Sequence, residues 1–176
     1  MRTLIIAGSP QQHSANRALL RAAVREAPDQ IDMVVYDSLA ELPHFNPELD
    51  GEGEEAPAPV RELRAQLTAA DAVVIVSPEY AHSMPGLVKN ALDWVVGSGE
   101  LAGMPIALMS ASTTTTGGAR GQIALTITLL GQAGNVVAWL TVPGVRRKLD
   151  GDGELSDTST LRRVRETLHA LAEAAD

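Results

Sequence analysis

Five short apolar runs punctuate the chain, and each is followed by a helix-like stretch or a long connection: Thr3–Ala7, Ile31–Tyr36, Ala72–Val76, Ile106–Met109 and Val136–Leu140. Runs this dense in β-branched and aliphatic residues suit strands covered on both faces of a sheet. Helical patterns lie between them. Ser14–Ala27 consists of good helix formers and is stopped by Pro28, and Val60, Leu63, Leu67 and Ala70 recur at helical spacing. Leu87, Ala91 and Val95 form a third stripe, flanked by Leu92 and Trp94. Gln122–Leu130 makes a fourth helix, and Leu161, Val164, Leu168 and Leu171 mark a fifth. Strands alternating with helices predict an α/β fold on a parallel sheet. The pattern alone does not give the strand order.

Two segments fit neither pattern. His44–Pro59 carries Pro47, Gly51, Gly53, Pro57 and Pro59 among acidic residues and reads as a long surface loop. Lys148–Ser159 is similarly polar. Its Asp150-Gly151-Asp152-Gly153-Glu154 has the flavour of a calcium loop, but the register and terminal glutamate of an EF-hand are missing, so it reads as a flexible turn. At 176 residues, with no repeat, linker or low-complexity tract, residues 1–176 read as a single domain.

Composition excludes several chemistries. There is no cysteine, which removes disulfides, thiolate metal sites and cysteine nucleophiles. A net charge of -8 leaves no basic surplus for nucleic acid, and the one basic triplet, Arg146-Arg147-Lys148, reads as a solvated turn. No apolar stretch approaches the roughly 20 residues of a membrane span, and the amino terminus enters an apolar run without a leader-like h-region. The expectation is therefore a cytoplasmic protein with no membrane partner. His13, His44, His82 and His169 are scattered without metal-ligand spacing. No G-x-S-x-G elbow points to a hydrolase.

In an open α/β sheet, ligands bind beyond the carboxyl ends of the strands. The loops after the first, third and fourth apolar runs are the chemically unusual ones. The first is Gly8–Arg17, a hydroxyl-rich turn opening a helix, where free backbone N–H groups and the helix dipole suit a phosphate. An ordinary helix cap by Ser14 explains the same residues equally well. Neither a Walker lysine pattern nor G-x-G-x-x-G is present. The second loop, Ser77–Gly86, is stiffened by Pro78, Pro85 and Gly86 and suits a planar heteroaromatic, with a structural turn as the alternative. The third, Ser110–Arg120, combines a run of hydroxyls with Gly117 and Gly118, which permit close approach of backbone to ligand. A flexible polar loop would look the same.

At these residues the chain resembles the NADPH-dependent FMN reductase family, which includes quinone, chromate and azo-dye reductases. Gly8, Ser9, Ser14 and Asn16 match the family's first loop. Pro78, Glu79, Tyr80, Ser83, Pro85, Gly86, Lys89, Asn90, Ala91, Asp93 and Trp94 match its long second motif, and Gly117 and Gly118 match its glycine pair. The resemblance implies a flavodoxin-like fold, a five-stranded sheet of order 2-1-3-4-5 with helices on both faces. It implies FMN as cofactor, NADPH or NADH as hydride donor, and a small-molecule acceptor such as a quinone, flavin, azo dye or metal oxyanion. It places Ser9, Gln11, Ser14, Ala15 and Asn16 around the phosphate. Pro78, Glu79, Tyr80 and Ala81 would lie along the flavin and ribityl chain, largely through backbone atoms, with Ser112, Gly117 and Gly118 closing from the third loop. It also implies a homodimer or homotetramer.

Two departures stand out: Gln11 replaces a frequent arginine, with Arg17 as a candidate substitute, and Ala81 replaces an asparagine. FMN binding is expected to be retained but weakened by both. They also keep open a binding or regulatory module without turnover. A receiver-type signalling domain lacks support, because Gly8-Ser9-Pro10 and Ser77-Pro78 stand where it needs acidic residues.

Overall fold

The computed structural model describes residues 1–51 and 55–175; Gly53 of the expected surface loop lies outside the described residues. Each apolar run becomes a strand: β1 (Arg2–Ala7), β2 (Asp32–Tyr36), β3 (Ala72–Val76), β4 (Pro105–Ala111) and β5 (Asn135–Val142). All neighbours pair in parallel, in the order β2-β1-β3-β4-β5. The connections carry α1 (Ala15–Arg25), α2 (Ala58–Thr68), α3 (Gly86–Val95), α4 (Ala119–Leu130) and α5 (Thr158–Ala175). This is the flavodoxin-like arrangement that the resemblance implied. Helix α4 begins ahead of the expected Gln122, because the chain can turn helical as soon as it leaves the left-handed Gly117 and Gly118.

The alternation of side chains along each strand divides the interior into two cores. Leu4, Ile6, Val73, Ile75, Ile106 and Leu108 face α2, α3 and α4. Ile5, Val74, Val76, Ala107, Met109 and Leu140 face α1 and α5. Strands buried on both sides account for the continuous apolar runs of the sequence. On α4, the buried Gln122 amide donates to the carbonyls of Leu108 at 3.2 Å and Leu140 at 2.9 Å, tying the helix to β4 and β5.

The two irregular segments are anchored at their described residues. Trp94 Nε1 and Asn90 Nδ2 both donate to the Pro43 carbonyl, at 2.8 and 2.9 Å, and the Phe45 N–H donates to Asn90 Oδ1 at 2.8 Å. Phe45 packs edge-on against Trp94 with ring centroids 5.1 Å apart. Asp50 takes both terminal nitrogens of Arg64, at 2.9 and 2.6 Å. The second segment is a constructed turn rather than a loose one. Asp150 Oδ1 accepts from the N–H groups of Asp152 and Glu154 at 3.0 and 2.9 Å, and buried Leu155 bridges back to Leu149. That carboxylate is engaged with its own turn.

Candidate active site

The sheet ladder runs on past the strand ends and delivers three loops to one edge. Gly8 N–H donates to the Val76 carbonyl at 2.8 Å, Ser77 N–H to Met109 at 2.9 Å, and Ser112 N–H to Val142 at 3.0 Å. The first contact needs a glycine. A Cβ on Gly8 would stand 2.9 Å from both Ser77 Cα and the Val76 oxygen. The loops after β1, β3 and β4 thereby enclose a cleft of about 290 Å³.

One end of the cleft is rich in donors. Ser14 caps α1, its Oγ accepting from the Arg17 N–H at 3.2 Å, while the hydroxyl hydrogen stays free to donate elsewhere. Ser9 Oγ, nearly buried, accepts from the Gln11 N–H at 3.3 Å in the same way. The N–H groups of Ala15 and Asn16, in the first turn of α1, donate to no described residue. Cap and anion site are thus compatible readings of one turn. The Asn16 side chain has a different task. Its Nδ2 donates to the Ala111 carbonyl and its Oδ1 accepts from the Ala111 N–H, both at 2.9 Å, so it clamps α1 to the end of β4. Arg17 lies outside the cleft lining, buried, with Nη1 3.4 Å from Asp37 Oδ2. It does not stand in for the charge missing at Gln11.

The β3 loop folds into a small hairpin. Tyr80 and Ser83 exchange backbone hydrogen bonds of 2.9 Å in both directions, with Ala81 and His82 at φ +50° and +63° between them. Two left-handed residues in succession make this a type I′ turn. Asparagine is favoured in that conformation, which gives a backbone reason for the residue that Ala81 replaces. The Tyr80 backbone is consequently engaged, and the residue, half-exposed, lines the cleft. Glu79 reaches across to α4 and caps it, accepting from the N–H groups of Arg120 at 3.0 Å and Gly121 at 3.3 Å. Burial pushes its carboxyl up. Hydrogen bonds from the Gly121 N–H, His82 and the Arg120 N–H, with the Arg120 charge, outweigh this and hold it below the usual carboxylate range. His82 Nδ1 sits 3.3 Å from Glu79 Oε1 and 3.1 Å from Arg120 Nη1.

Nine of the expected residues line the cleft: Ser9, Gln11, Ser14, Ala15 and Asn16 from the first loop, Pro78, Glu79 and Tyr80 from the second, and Ser112 from the third. Ala81, at the hairpin tip, is outside the lining, as are Gly117 and Gly118. The glycine pair is buried against neighbouring strands instead: a Cβ on Gly118 would fall 2.0 Å from Ser110 Oγ, and one on Gly117 3.0 Å from Pro143 N. Ala111 and Thr113 also line the cleft, beyond the residues expected from the sequence. Thr113 was visible within the run of hydroxyls, whereas Ala111 carries no chemical signal.

Free amides at a helix N-terminus and two spare hydroxyls beside a largely neutral cleft form a donor set that fits the phosphate of FMN. Glu79 is the one acidic residue in the lining, and its carboxylate is occupied by α4. Comparison with known proteins decides the affiliation. The family model for NADPH-dependent FMN reductases matches residues 1–144. The chain belongs to that family. A quinone reductase of Escherichia coli K12 is 33% identical over 178 residues, covering 98% of this chain and 94% of the relative. An NAD(P)H-dependent FMN reductase of Pseudomonas aeruginosa is 30% identical, covering 97% and 93%. Among solved structures, the flavoenzyme NAD(P)H:(acceptor) oxidoreductase FerB from Paracoccus denitrificans superposes with a TM-score of 0.82. Its sequence is 25% identical, with 99% of this chain and 96% of that one covered. The family's first loop is the cleft's donor-rich end, and much of its long second motif is structural, as Asn90 and Trp94 show.

Proposed function

We propose that the protein is an NAD(P)H-dependent, FMN-containing oxidoreductase whose acceptor is a quinone or a similar small redox-active molecule. The observation that carries this reading is the three-loop cleft with its unpaired donors at the start of α1. FMN, when bound, supplies the two-electron chemistry between nicotinamide and acceptor. The chain's own residues bind and orient. Ser9, Ser14 and the N–H groups of Ala15 and Asn16 hold the phosphate, with Gln11 at its side. Pro78, Glu79, Tyr80 and Ser112, which line the same cleft, would border the flavin. Asn16 and Glu79 fix the loops against β4 and α4. Gly117 and Gly118 let the third loop close tightly behind the cleft. Residues 1–176 act as one FMN-binding unit. A binding module without turnover is not favoured, since curated relatives matching nearly the whole chain are named as reductases.

A second copy of the chain covers the outer face of α4. Ile123, Ile127 and Leu130 are each at least 60% exposed, and Trp139 of edge strand β5 stands beside them at 51%. Ile127 also borders a second cleft with Ser83 and Met84, next to the flavin loop, so a dimer built here brings its partner to the active site. Among the described residues no helix is long and apolar enough to cross a membrane, which is compatible with a cytoplasmic reductase. The test is anaerobic spectroscopy. The purified protein loaded with FMN should lose its visible flavin band on addition of NADPH or NADH and regain it with a quinone. An unreactive band with both nucleotides would overturn the proposal.

A further inference from the structure

Beside the flavin cleft, and sharing Thr113 with it, lies a polar cleft of about 560 Å³ between the β4 loop and the segment after β5. Its walls carry Thr113, Thr114, Thr115, Gly144, Arg146 and Arg147. The rim is preformed: Gly144 N–H donates to the Thr114 carbonyl at 3.2 Å and Val145 N–H to the Ser112 carbonyl at 3.1 Å. Ser112, Thr114 and Thr116 link their hydroxyls in a chain at 3.0 Å per step. The hydroxyls of Thr113 and Thr115 donate to no described residue and are exposed.

The charges here are unusual for this molecule. Of its 14 lysines and arginines, ten have a carboxylate within 4.0 Å among the described residues. Arg146 and Arg147 have none, in a chain of net charge -8. Two guanidinium groups without a carboxylate partner among the described residues, and two hydroxyls that donate to none of them, line one preformed cleft; that chemistry suits an oxyanion, and arginine suits phosphate in particular.

We propose that this cleft receives the 2′-phosphate of NADPH, so that Arg146 and Arg147 determine the preference of the enzyme for NADPH over NADH. The inference rests on the reductase reading above. It adds the place where the donor is recognised, adjoining the flavin cleft at Thr113. Both arginines are exposed, so their replacement leaves the cores intact.

The test compares the protein with its Arg146→Ala/Arg147→Ala double variant, both loaded with FMN, and with the single charge reversal Arg147→Glu. Adenosine 2′,5′-bisphosphate is titrated by calorimetry, with 5′-AMP as the probe lacking the 2′-phosphate. Stopped-flow flavin reduction then gives kcat/KM for each nucleotide. The expected result is a loss of at least about tenfold in affinity for the bisphosphate, without a matching loss for 5′-AMP. The NADPH-to-NADH ratio of kcat/KM should fall by a similar factor. Equal losses with both nucleotides, or an unaltered bisphosphate affinity, would overturn the assignment. Should neither nucleotide reduce the flavin, the reductase reading fails, and the bisphosphate titration still decides the subsite.

Discussion

Single side chains in this site hold loops together across long stretches of sequence. Asn16 satisfies both main-chain groups of Ala111, 95 positions away, through two buried hydrogen bonds. Asn16→Ala should cost about 2–4 kcal/mol of stability in chemical denaturation, because it strands a buried N–H and a buried carbonyl together. A denaturation midpoint equal to that of the parent would remove the clamp from the account. Glu79 links the flavin loop to α4 as a charged cap, with its folded-state pKa depressed. A depressed carboxyl contributes stability that is present above its unfolded value of about 4.5 and is lost as the pH falls through that value towards the folded one. Glu79→Gln should therefore melt below the parent at pH 7, and the gap should close on acidification below about 4.5. A gap that stays the same as the pH is lowered from 7 until the parent unfolds would mean that the carboxylate charge is not what holds the loop.

The start of α1 carries two duties at once. Ser14 caps the helix and offers its hydroxyl hydrogen to the cleft, so Ser14→Ala should lower apo-protein stability by about 1 kcal/mol and weaken FMN binding as well. Measured melting temperature and FMN affinity must both drop; a change in one alone would separate the two duties. The elements themselves were legible because strands buried on both faces leave unbroken apolar runs, as Ala72–Val76 does. The strand order was not legible from periodicity, since Val73 pairs with both Leu4 and Ile106 and nothing local in those residues encodes it. It followed from the resemblance. Of the site, the first loop was readable because Ser9, Ser14 and Asn16 recur at family spacing. The roles of Asn16, Glu79 and Gly118 were not, because Ala111, Arg120 and Ser110 come to meet them only in the folded chain. The long match from Pro78 to Trp94 was specific for a different reason: Asn90 and Trp94 anchor the Pro43–Phe45 segment, not the ligand.

At the scale of the whole molecule, the sheet edge bearing the three loops and the apolar face of α4 lie close together. That face buries little in one chain, and a substitution there tests assembly without touching either core. Ile127→Asp, at a residue 67% exposed, should convert a dimer into a folded monomer by sedimentation or light scattering, with its far-ultraviolet spectrum retained. A dimer that survives the change would move the interface elsewhere. On the other surface, the chain closes three loops around the helix N-terminus proposed to hold the phosphate of FMN. Comparative titration of the apo-protein with FMN and riboflavin, which differ only in that phosphate, tests this role of the helix N-terminus. FMN should bind at least about a hundredfold more tightly, as several charge-assisted hydrogen bonds require. Equal affinity for the two flavins, or failure of the apo-protein to take up FMN, would contradict the account.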